Sequence, residues 1–282
     1  MIKNFKIYTV ITIIAALILT SISTLALFLS YDEDIGYFNI SAITIARDAL
    51  YAILVPALIF LSFRLKKGEY KSLTRPMSLP FQCISYVCSV IYIFAGALIY
   101  ISSDISNPRL KAIALMLTLI SALFFISMTT KKENMGNSIA LFSIVLALCS
   151  SVVLIVIYFN MNIPMNSHNK LLSTMALMAS MITFLLDARI HLKRQLPRFY
   201  LLFLMATGIL GSSFVISRLI YVIVSPLSRF ERLPLILENY GFMAIIFASS
   251  LYSIARISTF CKVEALNNET DNDDIPTQIS SD

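Results

Sequence analysis

The chain has 282 residues, of which 58% are hydrophobic and 13% are charged, and its formal net charge is +6. Soluble domains carry about 25% charged residues, so a water-soluble fold could not cover this much apolar side chain with polar surface. The composition excludes a soluble globular protein and indicates an integral membrane protein whose outer surface is covered by lipid.

Eight apolar segments are each long enough to cross a bilayer as a helix, which takes about 20 residues. In chain order, the predicted spans are 7–29, 42–63, 81–101, 112–130, 138–159, 171–190, 199–224 and 235–255. The apolar runs are continuous and do not alternate with polar residues, which favours helices over barrel strands. We therefore expect an all-α polytopic bundle. The sixth run is the shortest, and completing it to residue 190 places Asp187 at the membrane interface.

The spans and their short connections predict one transmembrane domain over residues 1–256 and no soluble domain. Lys3 and Lys6 give the first span the basic start of a signal peptide. Its apolar run of about 23 residues is longer than the usual 7–15, so we expect an uncleaved anchor. Residues 257–282 are acidic and poor in apolar side chains, and we expect a disordered tail.

Lysine and arginine are distributed unequally between the two sides of the predicted topology. One side, with the N-terminus, the second, fourth and sixth connections and the tail, holds Lys3, Lys6, Arg64, Lys66, Lys67, Lys71, Arg75, Lys131, Lys132, Arg189, Lys193, Arg194, Arg198, Arg256 and Lys262. The other side holds Arg109, Lys111, Lys170, Arg229 and Arg232. The positive-inside rule predicts a cell-membrane protein with both termini in the cytoplasm. The same distribution accounts for the net positive charge, so nucleic acid is not expected as a partner.

Ionisable residues inside spans are costly in lipid and are the first candidates for a functional site. Arg47 and Asp48 lie near the start of the second span, Arg218 lies late in the seventh, and Glu238 lies early in the eighth. The predicted topology brings all four charges to a similar depth near the outer face. By helical spacing, Tyr51 shares a face of the second span with Arg47, and Tyr221 shares a face of the seventh span with Arg218. The candidate intramembrane cluster is Arg47, Asp48, Tyr51, Arg218, Tyr221 and Glu238.

Two glycines indicate that some of these charges face other helices. Gly211 shares a face with Arg218, and Gly241 shares one with Glu238; small residues mark close helix approaches in lipid. We expect Arg218 to pair with Glu238 or with Asp48. Three interpretations of the cluster are open: arginines that snorkel to headgroups or form a structural ion-pair network, a solute or ion site at an outward-facing mouth, and a catalytic site.

The sixth connection is rich in basic residues, which attract anionic headgroups at a membrane surface. The candidate lipid-contacting residues are Arg189, Lys193, Arg194 and Arg198. An ordinary positive-inside loop has the same composition. If the sixth helix continues far enough, Asp187 pairs with His191 four residues later.

Catalytic and metal-binding patterns are missing from the sequence. His168 and His191 fall on opposite sides of the predicted membrane and cannot share a site. The four cysteines, Cys83, Cys88, Cys149 and Cys261, contain no CxxC pair. No phosphate-binding glycine loop, GxSxG or HExxH is present. We therefore expect no cofactor and no enzymatic activity.

Two functional hypotheses remain. The first, slightly favoured, is a permease-like carrier of a small solute or ion, although Pro56 alone does not give the matched broken helices of inverted-repeat transporters. The second is a non-catalytic membrane subunit that binds partner proteins or lipids. A water-connected cleft that reaches the charges would favour the first, and a solid core with a grooved face would favour the second.

Overall fold

A computed structural model describes residues 3–32, 37–64, 70–72, 78–101, 108–129, 136–159, 167–194, 196–224 and 240–262. Its helices are α1 Lys3–Ser30, α2 Ala42–Phe63, α3 Leu79–Ile101, α4 Pro108–Ser127, α5 Gly136–Phe159, α6 His168–His191, α7 Pro197–Val224 and α8 Tyr240–Ile257. Its strands are β1 Tyr31–Asp32, β2 Tyr37–Phe38, β3 Tyr70–Ser72 and β4 Phe260–Lys262. The eight described helices are all long and apolar enough to span a membrane. The predicted all-α multi-pass bundle is confirmed.

Serine side chains cap the first residues of α2 and α6 and fix where these helices begin, which the apolar pattern predicts only approximately. Helix α2 begins where predicted, because Ser41 and Thr44 form a capping box there. Helix α6 begins three residues before its predicted span, since the Ser167 hydroxyl accepts a hydrogen bond from the Lys170 backbone at 3.2 Å. The early start brings the residues after Ser167 into the bundle.

Helices α7 and α8 form the centre of the bundle. The membrane-spanning windows of both are 72% buried, whereas that of α2 is only 17% buried. Helix α7 packs against α1, α2, α6 and α8, and the succession α8, α3, α4, α5, α6 closes the other side. A Cβ on Gly211 of α7 would lie 2.9 Å from Cβ of Ser250 in α8 and 3.2 Å from the Ile246 carbonyl oxygen. The prediction of a close helix approach at Gly211 is confirmed.

Aromatic side chains fill the core beside α8. The Tyr252 ring lies 5.6 Å from Phe124, 5.4 Å from Phe125 and 5.9 Å from Phe184, measured between ring centroids. All four rings are buried. Edge and tilted contacts of this kind add to the burial of apolar area. The centre of this half of the bundle is therefore packed with side chains from α4, α6 and α8.

Two short antiparallel pairs connect segments at the two ends of the bundle. Strands β1 and β2 form a hairpin between α1 and α2. Strand β3, after α2, pairs with β4, after α8, in the register Tyr70 to Lys262. The predicted disordered tail therefore has an ordered beginning, because Phe260 is buried and stacks on Tyr200 at 5.8 Å. The prediction for residues 263–282 lies outside the described residues.

Candidate functional site

Two groups of polar side chains lie at opposite ends of the bundle. The distal cluster, at the end away from the start of α1 and from β4, contains Ser23, Arg47, Asp48, Tyr51, His168, Asn169, Ser213 and Arg218. The proximal cluster, at the other end, contains Asp187, Tyr200, Tyr252 and Arg256.

Arg47 anchors the α2 side of the distal cluster. Its Nε donates to Oδ1 of Asp48 at 3.0 Å, and its guanidinium carbon lies 4.0 Å from the centroid of the Phe38 ring. Arg47 is only 2% exposed, whereas the Asp48 side chain is 57% exposed. A guanidinium held between a carboxylate and an aromatic ring favours the ion-pair form of the first interpretation over snorkelling for Arg47.

His168, the first residue of α6, brings a second helix to the same carboxylate. Its Nδ1 lies 3.5 Å from Asp48 Oδ1. The centroid of its ring lies 5.6 Å from that of Phe38, with the two rings nearly perpendicular, and 5.9 Å from that of Tyr51, with the two rings tilted. His168 was not predicted as a site residue, because the apolar pattern placed it in a connection. The N-cap Ser167 is the signal that could have placed it in α6.

Tyr51 connects three helices through its hydroxyl group. The hydroxyl lies 3.2 Å from the Ser23 hydroxyl in α1 and 3.3 Å from the Ser213 hydroxyl in α7. Either atom of each pair can donate. These contacts show that Tyr51, on the same stripe of α2 as Arg47, faces α1 and α7. Because a hydroxyl in lipid has no water to bond with, the three helices hold one another in register here.

Arg218 is also buried, at 2% exposure, and it faces α6. Its Nη1 donates to the Phe214 carbonyl oxygen at 2.8 Å, and its Nη2 donates to Oδ1 of Asn169. Of the two partners predicted for Arg218, Asp48 contacts Arg47 and His168 instead among the described residues. Glu238, the other predicted partner, lies outside the described residues.

Tyr221 was predicted as a member of the same cluster and has a different neighbourhood. It is buried, and its ring packs on Phe28 of α1 with centroids 4.8 Å apart. Leu27 belongs to the same small apolar cluster, beneath the β1–β2 hairpin. Tyr221 lies one turn beyond Arg218 on the same face of α7. Helical spacing predicted this shared face, but it did not predict that Tyr221 packs on Phe28.

A cleft of about 340 Å³ begins at the distal cluster and runs between α2 and α6, over α7. Asp48, Tyr51 and His168 line one end of the cleft. The remaining lining is apolar and includes Leu54, Val55, Leu58, Leu171, Leu172 and Met175. Val55 and Leu171 are 50% and 57% exposed, so the cleft opens on the membrane-facing surface. From Tyr51 to Leu58 it follows α2 for about 10 Å.

The proximal cluster is a fully buried ion pair with tyrosine partners. Asp187 Oδ1 accepts hydrogen bonds from the Tyr200 hydroxyl at 2.8 Å and from Arg256 Nη2 at 3.1 Å. Its Oδ2 accepts one from Tyr252 at 2.6 Å. These contacts bury Asp187 inside the bundle near the end of α6, because α8 brings Arg256 to the same depth, and His191, the partner expected from the sequence, also acts on Asp187 electrostatically. The cluster joins α6, α7 and α8.

The predicted lipid-contacting residues lie at the α6–α7 connection. Arg189, Lys193 and Arg194 are exposed. Lys193 turns the chain with a φ of 60°, in the left-handed region. The Arg198 guanidinium carbon lies 5.7 Å from the centroid of the Phe63 ring of α2. Three basic side chains are thus free of the bundle, and contact with anionic lipid stays a prediction.

Within the described part of the chain, no group of three or more His, Cys, Asp or Glu side chains could hold a metal ion. Comparison of the chain with protein-family models, with curated proteins and with solved structures finds no match.

Proposed function

We propose that the protein binds an amphiphilic lipid in the cleft between α2 and α6. The hydrocarbon chain lies along the apolar lining, and the polar head lies at the distal cluster. This is the lipid-binding form of the non-catalytic hypothesis. The observation that carries the proposal is a cleft that is polar at one end, apolar along its length and open towards the membrane.

The same geometry speaks against a carrier of hydrated ions or polar solutes. Below Tyr51, the cleft lining is apolar, and a hydrated ion there would lose water without gaining other ligands. The most buried helices, α7 and α8, pack through Gly211, and aromatic rings fill the space beside α8. A hydrocarbon chain has no hydration shell to lose and suits the lining.

Helix α2 is suited to admit a ligand from the side. It is the least buried of the described helices and packs mainly on α1 and α7. Pro56 lies in its middle, beside the cleft residue Val55, and a proline removes one backbone hydrogen bond from a helix. Small movements of α2 therefore cost few tertiary contacts while they widen the cleft.

Filling the cleft tests the proposal. Ala206 of α7 lines it, and Ala206→Phe would place a ring where the lipid chain lies. Ala97→Phe is the matched control, since Ala97 is exposed on α3. Native mass spectrometry of the detergent-solubilised protein should show one retained lipid in the control and at least tenfold less in Ala206→Phe. Equal retention in the two variants would contradict the proposal.

We also propose that the exposed basic residues of the α6–α7 connection contact anionic headgroups on the cytoplasmic side. Each basic residue near an anionic surface contributes about 1 kcal/mol. Replacing Arg189, Lys193 and Arg194 together by Gln should reduce the anionic lipid that co-purifies with the protein. The single replacement Arg109→Gln, on the opposite side by the predicted topology, is the control. An unchanged anionic fraction in the triple variant would contradict this contact.

A further inference from the structure

We infer that the head of the cleft accepts a neutral amphiphile with a free hydroxyl group, of the acylglycerol class. The inference rests on the proposed lipid cleft and adds the chemistry of the head. It follows from three polar groups of the distal cluster whose hydrogen-bonding capacity is only partly used, together with the charges around them.

The first group is the Asp48 carboxylate. Its Oδ1 is engaged by Arg47 Nε at 3.0 Å and lies 3.5 Å from His168 Nδ1. Its Oδ2 accepts no hydrogen bond from the residues that the structure describes. Because more than half of the Asp48 side chain is exposed and it lines the cleft, this oxygen is available to a hydrogen-bond donor on a ligand.

The second group is the His168 imidazole. The contact with Asp48 selects the tautomer that carries its proton on Nδ1, which leaves Nε2 as an acceptor. Nε2 is buried and has no hydrogen-bond partner within the described ranges. Phe38 and Tyr51 contact the ring and hold its orientation. Two acceptors therefore lie at the head of the cleft.

The third group is the side-chain amide of Asn169, which is 4% exposed. Its Oδ1 accepts from Arg218, which fixes the amide orientation, and its Nδ2 finds no partner in the part of the chain that the structure describes. An NH₂ group supplies two donors. Asn169 does not itself line the cleft, but it follows the lining residue His168 on α6, so a ligand oxygen that reaches past His168 would accept from this amide.

The charges decide between head groups. Asp48, the charged residue of the cleft lining, is paired with Arg47, so the lining offers no unpaired charge to an ionic head group. A phosphate, which has only acceptor oxygens when ionised, cannot satisfy Asp48 Oδ2 or His168 Nε2. An ammonium group could donate hydrogen bonds to both acceptors. However, the guanidinium groups of Arg47 and Arg218 both act electrostatically on His168, and they would repel an ammonium group bound there. A neutral hydroxyl donates to the acceptors without either penalty.

The chain contains no tryptophan, so a single introduced tryptophan is a specific fluorescent reporter. Leu171→Trp places it in the cleft, and Leu148→Trp on the exposed face of α5 is the matched control. Each protein is reconstituted in phosphatidylcholine vesicles that contain increasing fractions of diacylglycerol or phosphatidylmethanol with brominated chains, which quench tryptophan on contact. Phosphatidylmethanol carries an ionised phosphate and no hydroxyl group. Met175→Trp, in the same cleft, serves if Leu171→Trp does not fold.

The mole fraction of lipid that quenches half of the cleft tryptophan fluorescence should be at least tenfold lower for brominated diacylglycerol than for brominated phosphatidylmethanol. Adding His168→Phe, which keeps an aromatic ring, should remove most of that difference, and the Leu148→Trp control should show none. Equal quenching by the two lipids, or a preference for phosphatidylmethanol, overturns the inference but leaves the lipid cleft. Quenching in the cleft no stronger than at Leu148→Trp, for both lipids, overturns the proposed function itself.

Discussion

The Tyr252 hydroxyl of α8 donates a 2.6 Å hydrogen bond to Oδ2 of Asp187 in α6, across 65 residues of sequence. Arg256, one turn further along α8, donates to the other oxygen of the same carboxylate. Both residues of the ion pair have side chains that are 0% exposed. One carboxylate therefore fixes the depth and rotation of α8 relative to α6, and the tyrosines complete its hydrogen bonding.

Breaking this ion pair from one side should destabilise the bundle strongly. Asp187→Ala or Arg256→Ala leaves a buried charge without its partner, which costs about 3–5 kcal/mol. The double variant should cost less than the sum, with a coupling energy above about 1 kcal/mol. The measurement is the free energy of unfolding in detergent. Arg189→Ala, an exposed site on α6, should change it by less than about 1 kcal/mol, and additive effects of the buried pair would refute the assignment.

We expect Asn169 to contribute more than Asp48 to the stabilisation of the buried Arg218 side chain. Asn169→Leu removes the acceptor of a buried guanidinium and should lower the free energy of unfolding by about 1–3 kcal/mol. Asn169→Asp keeps an acceptor and should be tolerated better. In double-variant cycles, Arg218→Ala should couple with Asn169→Leu and be nearly additive with Asp48→Ala. The opposite pattern would restore the predicted Arg218–Asp48 pair.

Two truncations should distinguish the contribution of strand β4 to thermal stability from that of the residues after it. Truncation after Glu264 keeps strand β4 and should leave the melting temperature in detergent nearly unchanged. Truncation after Ser258 removes Phe260 and its contact with Tyr200, and burying a phenylalanine side chain contributes about 1.5–3 kcal/mol. The shorter chain should therefore melt at a lower temperature. Equal melting of the two chains would show that β4 contributes nothing to stability.

The orientation in the membrane can be tested by thiol labelling. In a variant without the four natural cysteines, Asp34→Cys should react with a membrane-impermeant reagent applied to intact cells. Lys193→Cys, in the basic α6–α7 connection, should react only after the membrane is opened. The reverse pattern would invert the predicted orientation, with both termini then outside.

The helical bundle could be predicted from the sequence because every helix that crosses a bilayer needs a long apolar run. The shared face of Arg47 and Tyr51 on α2 was also predicted, since helical periodicity depends only on residue spacing. In the same way, Gly211 indicated that Arg218 faces another helix. These features are local in the chain. Nothing about them requires knowledge of which helices are neighbours.

Contacts between helices could not be predicted in the same way. The spacing that placed Tyr221 on the face of Arg218 did not show that it packs on Phe28. Asp187 and Arg256 were assigned to the interface from the ends of their spans, because a hydropathy pattern does not reveal a buried partner on another helix. His168 was missed since it lies before the apolar run, where only a capping serine marks the start of α6.

The pairing of β3 with β4 also has a consequence for biosynthesis. About 190 residues separate the two strands, so the ribosome has made all eight described helices before β4 emerges. Until then, β3 has no β4 to pair with, and α2, which has few contacts of its own, is not held by this sheet. Strand β4 can therefore pair with β3 only after all eight described helices have been synthesised. The formation of this small sheet is thus a late step of maturation.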